Sequence, residues 1–199
     1  MSLQTQPAMA TSLPIDYDKR LMLFSGRANP ELGARIADKI GVDLGPVTLK
    51  TFSNGEVYCR YEESIRGADV FIIQPTCGNP ATGVNPNDAL MELLEMIDAA
   101  VGASAHRVIA VTPWFGYSRQ DKKSAPREPI SARLVAHMLE AAGADRVVTM
   151  DLHAGQVQGF FSKPVDHMTA MFILTQHFRD QQLEDLVVVS PDAGRGSTG

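Results

Sequence analysis

Residues 107–150 read RVIAVTPWFGYSRQDKKSAPREPISARLVAHMLEAAGADRVVTM, and this stretch decides the fold. Its two ends, 107–112 and 146–150, are short β-branched apolar runs of strand length. Between them, 131–142 places Leu134, Val135, Met138 and Leu139 at helical spacing, and Gly143 follows as a stop. Strand, polar loop, helix and strand together make a βαβ unit. Apolar residues at successive strand positions imply burial on both faces, as in a parallel sheet covered by helices.

The same alternation continues outward. Residues 21–24, 47–51 and 70–74 read as strands on the N-terminal side, and 186–190 as another on the C-terminal side. Residues 30–40 read as a helix with Asn29 as N-cap, Pro30 in first position and Gly41 at the end. Residues 87–101 carry Leu90, Leu93, Leu94, Ile97 and Val101 on one stripe, with Asn87 or Asp88 to cap the start, and 169–179 repeat the pattern with Phe172, Ile173 and Phe178. A β-hairpin is expected at 57–61 behind the turn Ser53-Asn54-Gly55. The order predicts an α/β doubly wound fold: a mostly parallel sheet with helices on both faces and ligands beyond the carboxyl ends of its strands.

At 199 residues the chain has room for one domain, or one domain and part of another. With 44% hydrophobic and 21% charged residues it has the balance of a globular protein. Eighteen Lys and Arg against 23 Asp and Glu leave a net charge of −5, which argues against a nucleic-acid partner held by bulk electrostatics but leaves a local phosphate site open. Runs such as 70–73 and 186–189 are too short to cross a bilayer, and no signal-like apolar segment follows the N-terminus, so the expectation is a cytoplasmic protein with no membrane partner. Cys59 and Cys77 form no CxxC motif and read as reduced structural thiols. The expected organisation is a flexible leader over 1–18, an α/β domain over 19–168 and the start of a second over 169–199.

Four polar segments follow strands: Phe52-Ser53-Asn54-Gly55-Glu56, residues 114–123, Asp151-Leu152-His153, and residues 190–194. The second carries Arg119, Lys122 and Lys123, with Arg127 close behind. Its aromatic residues suit stacking on a base and its cations suit phosphates, although a solvated basic loop fits the same composition. Asp151 and His153, one residue apart, point to one side if the strand continues through them. Magnesium favours carboxylate and phosphate oxygens, and Asp192 offers a second anchor. His106, His137, His167 and His177 have no such setting. The tail GRGSTG at 194–199 matches GxGxxG, yet no helix or acidic residue follows it within the chain, so it is not taken as a dinucleotide fingerprint.

Together the four segments resemble the ribose-phosphate pyrophosphokinase family, most specifically in DLHAGQVQGFFSKPVD at 151–166, with similarity from about residue 21 to 194. The resemblance implies a phosphoribosyltransferase-like fold. It also implies transfer of the β,γ-diphosphoryl group of ATP to the anomeric hydroxyl of ribose 5-phosphate, giving phosphoribosyl pyrophosphate and AMP with Mg2+. By resemblance, Phe52, Asn54, Gly55 and Glu56 hold the adenosine part of ATP, often that of a neighbouring subunit in a homo-oligomer of dimers and hexamers. Arg119 and Gln120 hold ATP, and His153 is the catalytic residue. His153 and Asp192 serve the metal and its phosphates, with Asp151 in support. Lys123 and Arg127 align with positions that bind regulatory phosphate or ADP in some members. The family continues past the Asp192 turn into a mobile basic loop and an Asp-Asp ribose-phosphate loop, neither of which occurs here. The expectation is therefore a chain truncated in its second domain: an ATP half of the enzyme, or alternatively a non-catalytic nucleotide-binding partner of a complete synthetase.

Overall fold

The computed structural model describes residues 20–189; the leader over 1–18, Asp192 and the glycine-rich tail lie outside them. In chain order the elements are β1 (Leu21–Ser25), α1 (Pro30–Ile40), β2 (Val47–Thr51), β3 (Val57–Tyr61), β4 (Asp69–Ile73), α2 (Pro86–Gly102), β5 (Arg107–Thr112), α3 (Ser131–Ala142), β6 (Arg146–Met150), β7 (Val165–Met168) and α4 (Met171–Asp180). A 3-10 turn, Gly155–Phe160, lies between β6 and β7. Strands β1, β4, β5, β6 and β7 form one sheet in the order β1-β4-β5-β6-β7, every pair parallel.

Alternate residues of β1, β4, β5 and β6 enter two apolar layers, which is why these four strands are largely apolar. Phe24, Ile72, Val108 and Val147 meet Leu93, Met96 and Ile97 of α2 and Leu139 of α3. On the opposite face Leu23 and Ile73 meet Ala37 and the half-buried Ile36 of α1. Helices on both faces of a parallel sheet are the predicted architecture. Because all five strands run the same way, the loops after them gather at one end.

The helix signals hold at α1, where Asn29 Oδ1 accepts from the Leu32 amide at 3.0 Å and Gly41 closes the helix at φ 73°. At α2 the cap is Asn85 rather than Asn87 or Asp88. Asn85 Oδ1 accepts from both of their amides, because Pro86 with its fixed φ takes the first helical position.

Three strand expectations change. The hairpin expected at 57–61 forms, with 47–51 as its other strand; what changes is that β2 pairs only with β3, antiparallel and apart from the sheet. A two-stranded hairpin needs a covering layer, and this one rests on α2, with Tyr61 Oη donating to the Met96 carbonyl at 2.8 Å. Strand β7 has no counterpart among the predicted strands: Val165-Asp166-His167-Met168 is half polar because it is the sheet edge. Residues 186–189 of the expected strand at 186–190 carry no regular structure and are exposed, since no described strand lies beside them to complete their hydrogen bonds. Residue 190 is outside the described residues. Helix α4 starts two residues later than expected and buries no side chain.

Glu140 of α3 anchors the segment before β7, accepting from the amides of Ser162 and Lys163 at 2.6 and 2.8 Å and from the Ser162 hydroxyl. Desolvation pushes its carboxyl up, but these hydrogen bonds and the nearby His137 outweigh it and leave the carboxyl below its ordinary value. A lowered carboxyl stabilises the fold above its unfolded-state pKa and loses that contribution as pH falls. Wild type is therefore expected to lose more of its melting temperature than Glu140→Gln between pH 6 and roughly pH 3.5; parallel curves for the two proteins in a thermal melt series would exclude the effect.

Candidate functional site

The loop after β5 is tied to the loop after β4. The Thr76 amide donates to the Trp114 carbonyl at 2.9 Å, and the Gly116 amide donates to Thr76 Oγ1 at 2.7 Å. A Cβ on Gly116 would lie 2.6 Å from the Thr76 carbonyl oxygen, so only glycine lets the two loops approach this closely. Tyr117 follows in the left-handed region at φ 61°, its hydroxyl bonded to Asn87 Oδ1. Phe115 is buried edge-on against Phe161, whereas Trp114 is 56% exposed.

Two clefts open on this loop. One, of about 620 Å³, is lined by Thr76, Cys77, Asn87, Tyr117 and Gln120. The other, of about 250 Å³, is lined by Met150, Asp151, Leu152 and His153. Trp114, Phe115, Ser118 and Arg119 line both. The fold thus brings Arg119, Gln120, Asp151 and His153 to one end of the sheet, around a single exposed indole.

Asp151 is placed differently from the sequence expectation. Strand β6 ends at Met150 and Asp151 takes a left-handed φ of 45°, so strand alternation does not govern where its side chain points. Its carboxylate accepts from Thr169 Oγ1 at 3.0 Å and from the Ala170 amide at 3.2 Å, ahead of α4. The Leu152 amide donates to Nε2 of the exposed His167 at 3.0 Å, so this histidine braces the Asp151–His153 turn. Buried Asp121 accepts from Gln156 Nε2 at 2.6 Å and links the β5 loop to the 3-10 turn. The Gln120 side chain accepts from the Ser131 hydroxyl at 2.6 Å.

Other predicted site residues lie apart. Lys123 and Arg127 are exposed and line neither cleft; Arg127 sits in a turn at φ 69°, beside a Glu128 carboxylate that accepts from the Ser124 and Ala125 amides. The tip of the β2–β3 hairpin forms a third cleft, where Asn54, Gly55 and Glu56 face Asn87, Met91 and Glu95 of α2. Phe52 is partly exposed, with the Lys50 ammonium 5.0 Å from its ring centre. Arg119 and His153 do not line this cleft.

Among the described residues no group of three or more His, Cys, Asp or Glu side chains converges as a metal cage, and Asp192 lies outside them. The cleft supplies one carboxylate, Asp151, and one imidazole, His153. Magnesium commonly uses one or two carboxylates, water and substrate phosphate oxygens, so this donor set fits an ion arriving with a polyphosphate.

A buried network near the site escapes the sequence reading. Glu92 of α2 is fully buried; its Oε1 accepts from the Arg27 amide at 2.6 Å and from Gln74 Nε2 at 2.9 Å, and its Oε2 accepts from Arg27 Nε. The available signal is a charge on an apolar stripe, since Ala89, Leu93 and Met96 are buried beside it. Burial and the charges of Glu92 and Glu95 push the Cys59 thiol up to about 12, which suits the inert role expected for it. No described helix is long and apolar enough to cross a membrane.

The family model that matches residues 21–143 is that of the N-terminal domain of ribose phosphate pyrophosphokinase. The chain is 54% identical to a ribose-phosphate pyrophosphokinase of Corynebacterium efficiens over 179 residues, covering 89% of this chain and 53% of that one. It is 51% identical to the Synechocystis protein of the same name over 190 residues, covering 96% and 55%. Its structure is similar to the crystal structure of phosphoribosylpyrophosphate synthetase from Mycobacterium smegmatis, with TM-score 0.84 and 50% identity over 90% of this chain and 59% of that one. The chain spans about half the length of the curated relatives it matches.

Proposed function

Because the chain belongs to the ribose-phosphate pyrophosphokinase family, we propose that it carries the ATP-binding half of an enzyme that makes phosphoribosyl pyrophosphate and AMP from ATP and ribose 5-phosphate. The observation that carries this is the meeting of Arg119, Asp151 and His153 around exposed Trp114 at the carboxyl end of the sheet.

In the proposed transfer the anomeric oxygen of ribose 5-phosphate forms a bond to the β-phosphorus of ATP. The bond from that phosphorus to the oxygen shared with the α-phosphorus breaks, AMP leaves with that oxygen and the bonding pair, and the proton of the anomeric hydroxyl passes to solvent. Such chemistry asks the protein for position and for charge opposite the developing negative charge. Arg119 meets phosphate oxygens with its planar fork of donors, and Trp114 offers an apolar face beside it. His153 donates to phosphate oxygen or to metal-bound water. Asp151 holds the turn through Thr169 and Ala170 while bordering the same cleft. When bound, Mg2+ neutralises phosphate charge and orients the transferred group. Asp192 belongs to the proposed metal site, and Lys123 and Arg127 to a regulatory anion site.

Residues Phe52, Asn54, Gly55 and Glu56 are proposed to take the adenosine part of an ATP held by a second copy, since the cleft that Asn54, Gly55 and Glu56 line includes neither Arg119 nor His153. This requires a homo-oligomer, and a monomeric mass by light scattering at working concentration would exclude it. The elements that accept ribose 5-phosphate are proposed to belong to the part of the relatives that this chain does not span. Because it spans only about half of them, a second reading is a nucleotide-binding partner that does not catalyse by itself.

Trp114 is the single tryptophan and lines both clefts, so its fluorescence is expected to report ATP directly. Titration with Mg-ATP should saturate, and Arg119→Ala should weaken binding at least roughly tenfold, the value of a charge-assisted hydrogen bond. No saturable change, or equal affinity in Arg119→Ala and His153→Ala, overturns the assignment. AMP release that depends on ribose 5-phosphate supports the enzyme; ATP binding without it supports the partner.

A further inference from the structure

We propose that the ion pair between buried Glu92 and partly exposed Arg27 positions the Phe52–Glu56 loop through Thr51. The inference rests on the nucleotide-binding reading above. Its first observation is that the loop is internally closed. The Phe52 amide donates to the Glu56 carbonyl at 2.8 Å, the Gly55 amide donates to the Phe52 carbonyl at 2.9 Å, and the Glu56 amide donates to Asn54 Oδ1 at 3.2 Å. A closed turn of this kind moves as a unit, so its orientation is set at its base.

The base is held from outside the hairpin. Tyr61 Oη fastens the far end of the hairpin to the Met96 carbonyl. At the loop end, Arg27 Nη2 donates to Thr51 Oγ1 at 3.0 Å, and Thr51 is the residue immediately before Phe52. Arg27 side chain is 29% exposed, so the solvated rotamers of a long cation are open to it. What directs it inward is Glu92, which takes its Nε and its amide. A guanidinium is planar, so fixing the Nε edge on one carboxylate fixes where the NH2 donors point.

Glu92 itself is held by Gln74, whose Oε1 accepts from the Ala28 amide at 3.1 Å. The loop after β1 is thus clamped from two sides, and Gly26 must remain glycine because a Cβ there would lie 2.3 Å from Gln74 Oε1. A purely structural staple for that loop would be complete with Gln74 and the backbone contacts. The bond from Arg27 to Thr51 adds nothing to it, and its consequence falls on the neighbouring hairpin.

The test compares Thr51→Val, which removes the accepting hydroxyl and keeps the shape, with Thr51→Ser, which keeps the hydroxyl. Hydrogen exchange at the Phe52 and Gly55 amides should quicken roughly three- to tenfold in Thr51→Val, the range for one lost hydrogen bond, and stay at the wild-type rate in Thr51→Ser. Mg-ATP affinity should fall severalfold in Thr51→Val while affinity for inorganic tripolyphosphate, which has no adenosine, is unchanged. Unaltered exchange at both amides overturns the proposal whatever happens to ATP. Faster exchange with equal losses for ATP and tripolyphosphate, or with neither, overturns the link to nucleotide recognition. If wild type itself fails to bind ATP, the function assigned above fails, and the amide exchange still decides whether Thr51 holds the loop.

Discussion

Glu92→Ala is expected to destabilise the protein by about 2–4 kcal/mol, from the buried hydrogen bonds it leaves unmade and the cavity it opens. The carboxylate is fully buried and has three donors directed at it: the Arg27 amide, Arg27 Nε and Gln74 Nε2. Removing it leaves a cavity, frees the partly exposed Arg27 side chain to turn to solvent and deprives a fully buried amide of one of its acceptors. Against a typical folding free energy of 5–15 kcal/mol that is a large share. Glu92→Gln should recover only part of the loss, because its NH2 group faces donors wherever it replaces an accepting oxygen. Urea denaturation provides the check: a change in folding free energy below about 1 kcal/mol would mean that Arg27 and Gln74 find new partners.

The second large effect is expected at Phe24, where alanine should cost about 3–5 kcal/mol and leucine much less. The ring is fully buried in β1, meets the Tyr61 ring edge-on at 4.6 Å, and so joins the hairpin to the sheet. It fills the space over Gly45, where an added Cβ would stand 2.3 Å from a ring carbon. Gly45→Ala is therefore destabilising in the wild type and should be better tolerated beside Phe24→Ala, where the new methyl enters the vacated space. A double-mutant cycle measures that coupling; strictly additive losses would mean that the ring and residue 45 do not share the space.

These two residues also mark where sequence reasoning succeeds and stops. Phe24 is legible, because an apolar residue in an apolar run of strand length before a capped helix belongs to a buried strand. Glu92 is not, since its partners stand 65 and 18 positions away and nothing local announces them. Asp151 is legible as a loop residue at a strand end but not in its orientation, which follows from a left-handed backbone angle and from Thr169 and Ala170 beyond β7.

The sequence by itself determined the order of most elements, the caps of α1 and the stops at Gly41 and Gly143, the burial of the central strands on both faces, and the place of the polar loops carrying Arg119 and His153 after their strands. All of these depend on spacing, side-chain type and neighbours within a few residues. Only the tertiary structure decided that β2 and β3 leave the sheet, that β7 completes its edge, that residues 186–189 form no strand, and that Arg27, Gln74 and Glu92 meet. Strand partners and buried polar contacts are chosen between segments distant along the chain, so their energies depend on which surfaces the fold brings together.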